Sequence, residues 1–137
     1  MRKLMATCLV TVAAFPAFAD TCPSPDLMFV KDNGRYELNI PGWRALQDER
    51  DTSVVPDFRF ARASWDLLTD KSNTVICQYW QYVDDRASYV TLESLTKFPE
   101  AAMQGHSRWF LSTRASPNQY LCYSGNGDKD TTVCAFN

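Results

Sequence analysis

Between residues 35 and 40 the chain alternates. Tyr36, Leu38 and Ile40 are apolar, Arg35, Glu37 and Asn39 are polar, and the run lies between Asp32-Asn33-Gly34 and Pro41-Gly42. A period of two bounded by turn residues predicts a half-buried strand. After Trp43 the stretch from Arg44 to Thr52 is polar and predicts a loop or one or two helical turns, ended by Pro56. Phe58 and Phe60 alternate with Arg59. The phase then slips so that Ala61, Ala63 and Trp65 line up, as they do across a β-bulge.

Residues Thr74 to Val83 form the most apolar run after residue 20, rich in β-branched and aromatic side chains, and predict a central strand. One face carries Val75, Cys77, Tyr79, Gln81 and Val83, the other Ile76, Gln78, Trp80 and Tyr82. Asp84-Asp85-Arg86 then supplies a turn, and Ser88 to Leu95 returns as a partner strand with Val90 and Leu92 inward. Lys97 to Gln104, with Pro99 early and Gly105 after it, predicts a short helix. Arg108 to Thr113 reads as a strand bearing Trp109 and Leu111, broken by Ser116-Pro117-Asn118. Tyr120–Tyr123 and Thr131–Phe136 read as a last pair. The pattern has no repeat and no linker. It predicts an all-β domain, or α+β with one short helix, built as a small antiparallel β-sandwich-like unit.

The first 19 residues belong to a different class. Met1-Arg2-Lys3 is positive, Leu4 to Phe15 is almost continuously apolar, and Pro16-Ala17-Phe18-Ala19 places small residues where a signal peptidase reads them. This predicts a cleavable signal peptide at 1–19 and a single exported domain at 20–137. The apolar run is too short for the roughly 30 Å of a bilayer core, so no membrane insertion is expected after cleavage. Ala19-Asp20-Thr21 before Cys22 lacks the small residues of a lipid-attachment box. The short charged start is bacterial in style and predicts the periplasm or exterior of a Gram-negative cell. Loss of Arg2 and Lys3 leaves 12 of the 14 basic residues against 16 acidic ones, a formal charge of −4. Nucleic acid and anionic membranes select basic stripes, which this chain lacks.

Cys8 leaves with the leader, and Cys22, Cys77, Cys122 and Cys134 remain. An even number in a small exported domain reads as a disulfide framework. Cys122 pairs with Cys134 if Tyr120–Tyr123 and Thr131–Phe136 are neighbouring strands, and Cys22 with Cys77 then follows by elimination. Zinc does not fit, because no two cysteines have half-site spacing and His106 is the only histidine.

Candidate chemistry is sparse. No nucleophile elbow accompanies His106, which reads as a loop residue. Asp84 and Asp85 are adjacent and suit a turn better than acid–base work. In the loop Ser124-Gly125-Asn126-Gly127-Asp128-Lys129-Asp130, acidic and amide residues recur at alternate positions. The sixth-position glycine and twelfth-position glutamate of a calcium loop are missing, however. No cofactor or metal is implied. Two surfaces stand out for recognition: the face with Gln78, Trp80 and Tyr82, and the loop with Ser124, Gly125, Asn126 and Asp128. The 16 aromatic residues left after Phe15 and Phe18 depart exceed what so small a core needs.

The succession Cys22-Pro23-x-Pro25, Gly42-Trp43, Phe60-Ala61-x-Ala63, Cys77-x-Tyr79, Trp109, Tyr120-x-Cys122 and Cys134-x-Phe136 resembles a family of small uncharacterised exported domains of Gram-negative bacteria. That resemblance implies fold and location rather than activity. A second similarity is to periplasmic lysozyme inhibitors, disulfide-pinned β domains whose Ser-Gly-containing loop enters the enzyme's cleft, with Ser124-Gly125 as the matching residues. Asp128-Lys129-Asp130 departs from their pattern. The expectation is a non-enzymatic module for a protein or glycan partner in the envelope or a host. An enzyme inhibitor is the alternative, and a small hydrolase around His106 a more distant one.

Overall fold

The structure is a computed structural model that describes residues 20–48, 50–66, 73–114, 118–125 and 129–137. The expected leader lies outside the described residues. The protein is a small all-β domain with one short helix and two disulfides. Eight strands are present among the described residues: β1 (Phe29–Asp32), β2 (Arg35–Leu38), β3 (Trp43–Asp48), β4 (Arg59–Asp66), β5 (Thr74–Val83), β6 (Arg86–Lys97), β7 (Phe110–Ser112) and β8 (Gln119–Tyr123). β1 and β2 pair as a hairpin, and the other six form one antiparallel sheet in the order β3-β6-β5-β4-β8-β7.

The central hairpin follows from its sequence. Asp84 and Asp85 both adopt positive φ, 49° and 61°, as the tight turn between β5 and β6 requires. The alternation of β5 then sends Val75, Cys77, Tyr79 and Gln81 to the buried face and leaves Ile76, Gln78, Trp80 and Tyr82 on the other. From β6, Val90 and Leu92 point inward, opposite Tyr79 and Cys77. In β4 the phase slip is a bulge between Phe60 and Arg62, so that Phe60, Ala63 and Trp65 all enter the core.

One face of the sheet is covered by segments outside it. Phe29 of β1 stacks on Phe58 at 5.3 Å. Arg50 fixes the hairpin from beneath: its guanidinium lies 4.4 Å from the Phe29 ring centroid, and Nη2 donates to the Tyr36 carbonyl at 2.6 Å. The one-turn helix α1 (Ala101–Gln104) contributes buried Ala102 and Met103. Phe136 sits edge-on to Phe98 and Trp109, and the Trp109 indole donates to the Ala135 carbonyl at 2.9 Å. Asp20, the first described residue, and Phe136 are joined by reciprocal 2.8 Å backbone hydrogen bonds. Each fully buried large apolar side chain stabilises the fold by about 1.5–3 kcal/mol relative to exposure.

Both expected disulfides form, Cys22–Cys77 and Cys122–Cys134. Four local expectations change. The helix expected over Lys97–Gln104 is confined to Ala101–Gln104, because Lys97 still belongs to β6. Arg44–Thr52 is not a loop or helix at its start: residues up to Asp48 belong to β3, an edge strand exposed along all but its first residue, whose conformation is set by its ladder with β6 rather than by its own periodicity. Thr131–Phe136 is not a strand. Asp130 accepts hydrogen bonds from the Thr132 amide and hydroxyl, opening a 3-10 turn at Thr132–Cys134, and Cys134 reaches Cys122 from there. Trp109 is buried but precedes β7.

Two stability predictions follow from the cover. Restricting the unfolded chain favours the longer loop, so replacing Cys22 and Cys77 (separation 55) by alanine should cost about 4 kcal/mol, and replacing Cys122 and Cys134 (separation 12) about 3 kcal/mol. Urea midpoints of the two double variants give the order, and a larger loss from the short bridge would refute this account. The second concerns Tyr79, whose hydroxyl is buried and donates to the Pro23 carbonyl at 2.7 Å. Burial pushes its pKa well above the ordinary 10.0. The unfolded chain therefore releases this proton first. The stabilisation is complete below pH 10 and declines as the pH rises beyond it. Tyr79→Phe should lose the hydrogen bond at neutral pH but flatten the alkaline decline, as read from denaturation midpoints between pH 8 and 11.

Candidate functional site

The second face of the sheet has no covering layer among the described residues. β5 sends Gln78, Trp80 and Tyr82 to it, as the alternation predicts, with Tyr82 69% exposed and Trp80 and Gln78 half-buried. The Trp80 and Tyr82 rings meet edge to face at 5.2 Å. Tyr89 of β6 lies directly across from Trp80 and is half exposed. Further along the sheet, Phe110 and Tyr123 stack at 5.9 Å and are exposed as well. Five aromatic side chains therefore remain in contact with solvent on one sheet face.

Among them runs a row of residues in cross-strand register. Gln47 of β3 faces Thr91 of β6, Thr91 faces Gln78 of β5, Gln78 faces Arg62 of β4, and Arg62 faces Tyr123 of β8. These five, with Tyr89, line a solvent-open depression of about 250 Å³. Arg62 Nε donates to Gln78 Oε1, which aligns the two planar groups in the floor. Among the described residues Arg62 makes no salt bridge and no aspartate or glutamate lines the depression. On the same face, Arg44 and Glu93 neutralise each other as an ion pair.

The loop candidate starts beside this depression. Tyr123 lines it, and the Ser124 amide donates to the carbonyl of Ala61, another lining residue, at 3.1 Å. Ser124 is buried and Gly125 exposed with φ of 87°. Asn126 and Asp128 lie outside the described residues. The far side of the loop is held by Lys129, whose ammonium reaches Asp57 at 2.8 Å and Asp26 at 3.0 Å. These contacts raise the Lys129 pKa, Asp57 foremost, and lower that of Asp57. Hydrogen bonds from Thr132 hold the Asp130 carboxyl below its ordinary range.

His106 lies in the turn after α1, where its amide donates to Met103 and its carbonyl accepts from Trp109. Among the described residues no carboxylate pairs with it. Asp84 and Asp85 are exposed turn residues.

Sequence reasoning located Gln78, Trp80 and Tyr82 because one strand's alternation is enough to assign them to a face. It missed Tyr89 and Thr91, which join that face through the register of the β5–β6 hairpin, and Gln47, Arg62 and Tyr123, which join it from strands more distant in sequence. The phase slip after Phe60 was the available signal, since it moves Arg62 to the open side.

No protein-family model, curated protein or solved structure matches the chain. The use of this face has to be inferred from its own geometry. Because Trp80 and Tyr82 project from the sheet rather than into the core, Trp80→Ala and Tyr82→Ala should each lower stability by less than about 1 kcal/mol. Phe60→Ala, at a fully buried position, should cost about 3–5 kcal/mol. Chemical denaturation of the three variants tests this assignment of faces.

Proposed function

We propose that the protein is an exported, non-enzymatic binding module of a Gram-negative bacterium, periplasmic or secreted, that recognises a protein or glycan through the open sheet face. One observation carries this reading: Trp80, Tyr82, Tyr89, Phe110 and Tyr123 stay at the surface around Arg62. Exposed aromatic rings beside an arginine are what recognition surfaces concentrate, because they offer large contact area at small cost in rotamer entropy. Two disulfides support the exported location, and among the described residues no helix is long and apolar enough to cross a membrane. The resemblance to small exported domains points the same way.

The inhibitor-like alternative has support from the 124–130 loop. Its base is closed by Cys122–Cys134, its far side is tied through Lys129, and it leaves from the rim of the depression. A loop held at both sides loses less entropy on binding. Ser124 and Gly125 would then extend the contact surface of the aromatic face.

Expression of the full chain in a Gram-negative host should yield a protein of 118 residues beginning at Asp20, as intact mass shows; a retained leader would remove the export reading. With that mature protein immobilised, a partner captured from envelope extract or host lysate should be lost on combining Trp80→Ala with Tyr82→Ala while the fold is kept. A partner held equally by that variant but lost when 124–130 is replaced by Gly-Ser would transfer the function to the loop.

A further inference from the structure

We infer that the depression around Arg62 is a subsite for one sugar ring bearing a carboxylate, so that the ligand of this face is an acidic polysaccharide. This rests on the reading of the face as a binding surface and specifies its chemistry. The charge argument comes first. Arg62 is half-buried, its Nε is bonded to Gln78, and its two terminal nitrogens have no partner among the described residues. A partly desolvated guanidinium without a counter-ion is costly. Its planar fork fits the two oxygens of a carboxylate.

The remaining lining selects a sugar over an acidic side chain. Gln47, Gln78 and Thr91 form a polar row across three strands, and Tyr89 and Tyr123 border it with half-exposed rings. Amide and hydroxyl groups both donate and accept, as the hydroxyls of a sugar ring do. Aromatic rings pack against the apolar face of such a ring. A glutamate or aspartate side chain would use Arg62 alone and make no use of the Thr91 hydroxyl or the two flanking rings. Size agrees: about 250 Å³ lies below the roughly 300–1,000 Å³ of sites that engulf a whole small ligand, and suits one unit of a chain that continues past the open sides. Trp80 lies directly across from Tyr89, and Tyr82 two residues further along the strand; together they offer a place for the adjoining unit. The mature chain is negatively charged overall, so the attraction is local to this groove and needs close contact.

The test is titration of the mature, disulfide-intact protein with oligomers of galacturonate, glucuronate and mannuronate, read by calorimetry and by Trp fluorescence. The methyl esters of the same oligomers and an oligoglutamate peptide serve as comparisons. At least one uronate oligomer should bind at least tenfold tighter than its methyl ester. Its affinity should fall with added salt and drop at least tenfold in Arg62→Gln, with Arg62→Lys intermediate and circular dichroism unchanged in both. Equal affinity for acid and ester, undiminished binding by Arg62→Gln, or binding of oligoglutamate alone would overturn the proposal. Absence of all saccharide binding, together with a captured partner that still depends on Trp80 and Tyr82, would refute the acidic sugar and leave the binding face standing.

Discussion

The six-stranded sheet has two faces, and the segments outside it cover one of them among the described residues. The cover is assembled from pieces that would not hold a shape alone: a two-stranded hairpin, one turn of α-helix and the segments around Cys22 and Phe136. Cys22–Cys77 is the constraint that makes this cover permanent, because it ties the N-terminal segment to the middle of the central strand. Tyr79 reinforces it one pleat along by donating to Pro23. Asp20 then pairs with Phe136, so the segment held by the first disulfide in turn holds the C-terminus. The second disulfide fastens that C-terminal turn to β8. Short 3-10 turns with little cooperativity of their own gain a fixed place from these covalent ties.

Legibility in the sequence tracks how local each determinant is. Thr74–Val83 was readable because its alternation, its turn residues and its composition agree within ten positions. The pairing of the cysteines was readable because Cys122 lies in a clear strand and its nearest candidate partner is twelve residues away. The strand expected at Thr131–Phe136 is not what brings the second pair together, since a 3-10 turn at Thr132–Cys134 brings Cys134 into reach equally well. β1 escaped notice because its residues are mostly exposed and only its turn, Asn33-Gly34, is distinctive. β3 escaped for a related reason: an edge strand of Arg, Gln and Asp borrows its conformation from β6.

The same distinction separates the two parts of the candidate site. Trp80 and Tyr82 are neighbours on one strand and share a face by parity. The floor of the depression draws on strands that begin at residues 43, 59, 74, 86 and 119, so only pairing register places its members together. The electrostatic character of the site emerges at that level too. A formal charge of −4 describes residues 20–137, yet the depression presents a guanidinium and no carboxylate among the described residues. Global charge governs long-range approach, and local pairing governs what is bound.

Two bulges decide which side chains reach that floor. In β4, Phe60 is buried, and unbroken alternation would send residue 62 to the buried face with it. The shift between Phe60 and Arg62 reverses the parity, so Arg62 turns outward while Ala63 and Trp65 take the core positions. β3 repeats the device. Ala45 faces Leu92, yet after the shift Gln47 faces Thr91 on the open side. Since a one-residue slip exchanges every side chain between faces, both bulges expose a polar group, and the one in β4 also returns Ala63 and Trp65 to the core. Both corrections fall at the ends of one four-strand row, Gln47, Thr91, Gln78 and Arg62, and a sheet without them would present a different surface at that point. The depression is thus built by the backbone irregularities that also let Trp65 reach the carbonyls of Asn73 and Phe98, which couples the packing of one face to the chemistry of the other.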